Sequence, residues 1–93
     1  MIRRFLVAGA VALFLFSSPG LAQVSPESAE KYIAGQELFK KRRYAEAIKI
    51  FDEAVTIDGK NAQAYQAMGL TYQKMRDYEK AADAYKMATS VKP

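Results

Sequence analysis

The chain has no cysteine, histidine or tryptophan, and these absences exclude most catalytic chemistry before any pattern is read. Without cysteine there are no disulfides, no thiol nucleophile and no thiolate metal site; without histidine, the Ser-His nucleophile and the common zinc sites are also ruled out. Glycine is sparse, at five residues, and no glycine-rich phosphate loop occurs. Gly35 and Gly69 stand singly within helical patterns. Carboxylates are plentiful, but Glu46, Asp52, Glu53 and Asp83 fall on the outer faces of helical segments, where solvation and pairing with nearby lysines account for them. No catalytic residue, cofactor or metal is expected, and the chain is not expected to be an enzyme. The net charge of +4 is small and carries no basic face of the density that nucleic acid demands, so no nucleic-acid partner is expected.

The one long apolar run lies at the start. Met1-Ile2-Arg3-Arg4 is a short basic opening, residues 5–16 carry no charge, and small residues follow at Gly20 and Ala22. Twelve apolar residues suit a secretory signal, whereas a membrane-spanning helix needs about 20. Residues 1–22 are therefore read as a signal peptide cleaved after Ala22, which implies a periplasmic or secreted protein. Arg3-Arg4-Phe5-Leu6 lacks the spacing of a twin-arginine signal, and no cysteine is present for a lipid anchor. Removing the segment lowers the net charge to +2, because Arg3 and Arg4 leave with it. An uncleaved signal would act as a membrane anchor, and only then is a membrane contact expected.

Residues 23–27 have no period and contain Pro26, so they read as a leader or helix-entry segment. Beyond them the chain repeats itself at an offset of 34: Gly35 and Gly69, Lys40 and Lys74, Arg42 and Arg76, Tyr44 and Tyr78, Ala47 and Ala81, Ala54 and Ala88. Phe51 aligns with Tyr85, and Ile57 with Val91. Each unit reads as two helices. The first unit has one from about Ala29 to Lys41, with Ala34, Leu38 and Lys41 on one face, then a break at Arg42-Arg43. Its second helix runs from about Tyr44 to Ile57 and is stopped by Asp58-Gly59-Lys60-Asn61. The second unit has Tyr65, Met68, Tyr72 and Met75 before a break at Arg76-Asp77, then a last helix ending before Pro93. Mid-helix glycine costs about 1 kcal/mol relative to alanine. Gly35 facing Ala47, and Gly69 facing Ala81, would let two helix backbones approach closely, with Phe51 and Tyr85 filling the wedge.

These residues resemble the tetratricopeptide repeat family over residues 28–93, with units at 28–61 and 62–93. The resemblance implies an all-α fold of two helix-turn-helix hairpins, a short right-handed α-solenoid, that binds protein or peptide and turns nothing over. It also implies a concave groove lined by the first helices, here Ala29, Tyr32, Gln36, Phe39 and Lys40, then Gln63, Gln66, Leu70, Gln73 and Lys74. Amides, aromatic anchors and two lysines suit an extended peptide or a partner helix. Tyr32 and Gln36 stand where some members carry a carboxylate-clamping Lys and Asn, so that specificity is not expected. Lys31 replaces a usual large apolar residue, and Gly59 a usual proline.

Such families commonly need about three repeats and a closing polar helix. Two repeats leave Tyr85, Met87, Ala88 and Val91 as expected apolar surface on the last helix, to be covered by further repeats, a second copy or a partner's helix. The leading expectation is an adaptor or assembly module of the periplasm or cell envelope. The alternatives are a self-associating building block, using Tyr85, Met87 and Val91, and a membrane-anchored repeat protein. Lys40-Lys41-Arg42-Arg43 is the densest charge run; a helix C-terminus favours cations, and an acidic partner or lipid headgroups are the other readings.

Overall fold

A computed structural model of the chain describes residues 24–91, so the expected signal peptide and Pro93 lie outside the described residues. Four helices follow one another: α1 (Pro26–Lys40), α2 (Tyr44–Ile57), α3 (Ala62–Lys74) and α4 (Tyr78–Val91). There is no strand among the described residues, and none of these helices is long and apolar enough to cross a membrane. α1 packs on α2, α3 on α4, and α2 on α3, so two hairpins stack through the middle pair.

The stretch before the first repeat serves as a helix entry, and α1 begins earlier than the expected Ala29. Ser25 caps α1, its hydroxyl accepting the Ser28 N–H at 3.2 Å, and Pro26 begins the helix, where a missing N–H costs nothing. Asn61 caps α3 in the same way, its Oδ1 accepting the Ala64 N–H at 3.0 Å.

Both hairpin turns use one device. After α1, the Arg42 N–H reaches the Phe39 carbonyl and the Arg43 N–H the Leu38 carbonyl, each at 2.9 Å. After α3, Arg76 and Asp77 make the equivalent bonds to Gln73 and Tyr72 at 3.0 and 2.9 Å. This closing pattern places one residue in the left-handed region, a position that usually belongs to glycine. Here it holds Arg42 at φ 63° and Arg76 at φ 64°. A side chain there costs about 1–2 kcal/mol.

The helix crossings follow from the glycines. A Cβ at Gly35 would lie 2.5 Å from the Phe51 ring, and one at Gly69 2.7 Å from the Tyr85 ring. Phe51 is buried with Ala47, Met68 and Ala84 in one core that spans both hairpins. The expected buried face of α1 needs correction. Ala34 is exposed and Leu38 only half-buried, while Ser28 and Gly35 are buried. The inward stripe passes through Ser28, Tyr32, Gly35 and Phe39, because close approach at Gly35 orients the helix.

A buried polar link joins three elements where α1 begins. The Ser28 hydroxyl donates to the Ala54 carbonyl at 2.7 Å and accepts from Asn61 Nδ2 at 2.8 Å. Asp58 accepts the backbone N–H of Ser25 at 2.8 Å and that of Lys60 at 3.0 Å. Among the described residues no buried side-chain polar atom lacks a partner. The start of α1 and the α2–α3 connection therefore share one end of the stack, and the two arginine turns lie a helix length away, about 22 Å.

Candidate functional site

The residues assigned to a groove divide sharply between the two first helices. On α1 they are occupied by packing. Tyr32 is half-buried with its ring 6.1 Å from that of Phe51, and its hydroxyl accepts from Gln36 Nε2 at 2.9 Å. Phe39 is half-buried against Tyr44, with ring centroids 5.3 Å apart in an edge-on arrangement. Ala29 is half-buried, and Lys40 is exposed with its ammonium 3.6 Å from Glu37.

On α3 the corresponding residues are open. Gln63, Gln66, Leu70, Gln73 and Lys74 are all exposed, Leu70 at 43%. They recur every three or four residues and so share one side of the helix. Of these, Gln73 is engaged from within, its Oε1 accepting the Tyr85 hydroxyl at 2.8 Å. Leu70 thus stands as an apolar contact among amide groups, with a lysine at the end of the row.

The last helix presents less apolar surface than expected. Ala88 is buried, Val91 is half-buried, and Tyr85 is turned inward over Gly69 with its hydroxyl on Gln73. Met87 is exposed at 44%. It borders a shallow depression of about 210 Å³ between α3 and α4, floored by Tyr65, Met68 and Tyr72. Lys80 stands over the Tyr72 ring, 5.9 Å from its centroid, a cation–π contact at the rim of that depression.

Two charged contacts escaped the sequence reading. Lys31, which replaces a usual large apolar residue, pairs with Glu53 across α1 and α2 at 2.8 Å. The hydrogen bond and charge of Glu53 raise the Lys31 ammonium above its ordinary value. The N–H groups of Ser25 and Lys60 hold the Asp58 carboxyl below its ordinary range. Spacing offers no signal for the Lys31–Glu53 pair or the Ser25–Asp58 bond, each joining residues more than 20 apart; the Lys60 bond to Asp58 is local, two residues along the turn. Among the described residues no three acidic side chains gather as a metal site would require.

A family model described as tetratricopeptide repeat matches residues 27–93. The chain is also similar to the DnaJ homolog subfamily C member 7 homolog of Schizosaccharomyces pombe, 35% identical over 74 residues. That match takes in 76% of this chain, which spans only 16% of the relative's length. The chain belongs to the tetratricopeptide repeat family, whose repeats generally mediate protein–protein interaction without catalysis.

Proposed function

We propose that this tetratricopeptide repeat protein is an adaptor that holds an extended segment of a partner protein against the open side of α3. The observation that carries the reading is the exposed row itself. An isolated exposed leucine is ordinary, but Leu70 shares its side of the helix with Gln63 and Gln66, whose amides can bond a partner's backbone while the leucine takes an apolar side chain. α1, with Tyr32 and Phe39 drawn into packing, serves as a wall beside it. The signal-like pattern of residues 1–22 supports a place for this adaptor in the periplasm or cell envelope.

Photo-crosslinking in the native host tests the assignment. A benzophenone amino acid at position 70 is expected to give one discrete heavier adduct. The same group at position 82, exposed on α4, is expected to give none. Equal adducts from both positions, or none from either, would remove the α3 surface as the binding site. N-terminal sequencing of the mature protein, expected to start at Gln23, checks the export reading separately.

A further inference from the structure

We propose that the turn of the second hairpin is a docking point for an acidic protein segment bearing an aromatic residue. Tyr78 is the apolar anchor, and Lys74 and Arg76 are the anion-binding pair. The proposal rests on the reading that the chain binds a protein segment, and it names the chemistry of that segment at the end of the α3 row.

The two hairpins, compared at their 34-residue offset, show an aromatic pair that one of them has and the other lacks. In the first, Phe39 covers Tyr44 edge-on at 5.3 Å. In the second, the same two places hold Gln73 and Tyr78, and Gln73 is drawn away to accept the Tyr85 hydroxyl. Tyr78 is left 63% exposed, more than any other large hydrophobic residue of the described chain. Met75, in the same turn, is 43% exposed. An incoming ring can take up over Tyr78 the edge-on contact that Phe39 makes over Tyr44, a favoured aromatic geometry.

The cations beside it are available. In the first turn Lys40 and Arg43 face Glu37 and Glu46, at 3.6 and 2.6 Å, while Lys41 and Arg42 have no carboxylate within ion-pair distance among the described residues. Lys74 and Arg76 have no carboxylate within ion-pair distance among the described residues, and the adjacent Asp77 faces Lys80 at 3.8 Å. A helix C-terminus is reason enough for Lys74. Arg76 occupies a left-handed backbone position at φ 64°, as Arg42 does at φ 63° in the first turn, so the backbone alone does not set the second turn apart. What sets it apart is the uncovered Tyr78 two residues on, and a guanidinium is suited to gripping carboxylates in pairs. A membrane surface would engage the cations of both turns alike, whereas the uncovered ring is found at only one.

The test uses the full chain and a fluorescein-labelled nonapeptide with a central phenylalanine flanked by aspartates, read by fluorescence anisotropy. Tyr78→Ala is expected to weaken binding at least tenfold, and lysines in place of the aspartates to abolish it. Arg76→Gly is expected to raise the melting temperature while weakening the peptide several-fold, a combination that a purely structural arginine would not produce. Gln73→Phe rebuilds the missing aromatic pair from within and is expected to block the peptide. The proposal is overturned if the wild-type chain does not bind the peptide, or if it associates instead with phosphatidylglycerol vesicles alone. It is also overturned if Tyr78→Ala and Arg76→Gly bind like wild type. In that last case, loss of binding in Leu70→Glu would leave the α3 row standing as the site without the turn.

Discussion

The two hairpins share a plan and differ in what each has been allowed to expose. At matching positions, Ile48, Ile50 and Val55 of α2 become Ala82, Ala84 and Thr89 of α4, and the wedge residue Phe51 becomes Tyr85. α2 lies between α1 and α3 and needs apolar side chains toward both, whereas α4 packs chiefly on α3. Phe51 is 1% exposed and belongs to the core that joins the hairpins. Tyr85 is half-buried and puts a hydroxyl to work on Gln73. One repeat pattern can therefore specify an interior helix and a more solvated one by shortening a few side chains and adding a hydroxyl.

Truncating the wedge residues breaks the comparison most severely. Phe51→Ala removes a buried ring and is expected to cost about 3–5 kcal/mol, enough to leave a domain this small largely unfolded at 25 °C. Tyr85→Ala removes a ring already partly in water and should cost nearer to 2 kcal/mol. Chemical denaturation followed by circular dichroism distinguishes them. Equal losses would mean that the second hairpin is packed as tightly as the first.

The glycines sharpen the same contrast at smaller amplitude. At Gly35 a new methyl would meet three atoms of the Phe51 ring at 2.5–3.0 Å, and that ring has no free space to enter. Overpacking of this kind costs about 1–3 kcal/mol, against roughly 1 kcal/mol gained in helix propensity. Gly35→Ala should therefore destabilise by up to about 2 kcal/mol, toward the upper end because the contacts are as short as 2.5 Å. At Gly69 the contacts are similar, 2.7–2.9 Å, but the Tyr85 ring can swing outward. Gly69→Ala should come within about 1 kcal/mol of wild type, the propensity gain offsetting most of the displacement. A larger loss at Gly69 than at Gly35, by thermal melts on the two variants, would reverse the assignment of the rigid hairpin.

Much of this architecture is legible in the sequence because its signals are local or periodic. The repeat offset, the bounds of α2 and the glycine-to-ring crossings are all carried by spacing. What escaped the reading depends on meetings between distant residues. Ser28 and Asn61 look individually like an ordinary polar residue and a turn former, yet they bond across 33 residues and tie α1, α2 and α3 together. Spacing puts Ala34 on one face with Leu38 and Lys41, but it cannot tell which of two neighbouring stripes a close glycine contact will select, and Gly35 selects the other. The groove was read as one surface, but half of it is packed because Phe39 finds Tyr44 and Tyr32 finds Phe51. The left-handed arginines have no sequence signal, since that backbone position usually announces itself with glycine.

Acid and alkali should separate the hairpins most gently, because the described contacts that titrate with a resolved shift belong to the first. Lys31 and Glu53 form its ion pair between helices, and the matching places in the second hairpin hold Tyr65 and Met87, which border the depression. Lys31 is raised above 10.5, so its contribution is complete below that pH and is lost as pH climbs through the folded value. Asp58 works in the opposite sense. Its carboxyl is held below the ordinary 3.8 by the N–H groups of Ser25 and Lys60, so the link it makes is complete above that pH and fades as pH falls through the folded value. Asp58→Asn keeps an acceptor oxygen but removes the charge. Its melting temperature should lie below that of wild type at neutral pH, and the two should converge as the solution is taken well below pH 3.8. A gap that persists unchanged into acid would mean that Asp58 acts through its shape alone, and that the start of α1 is held mainly by the Ser28–Asn61 link.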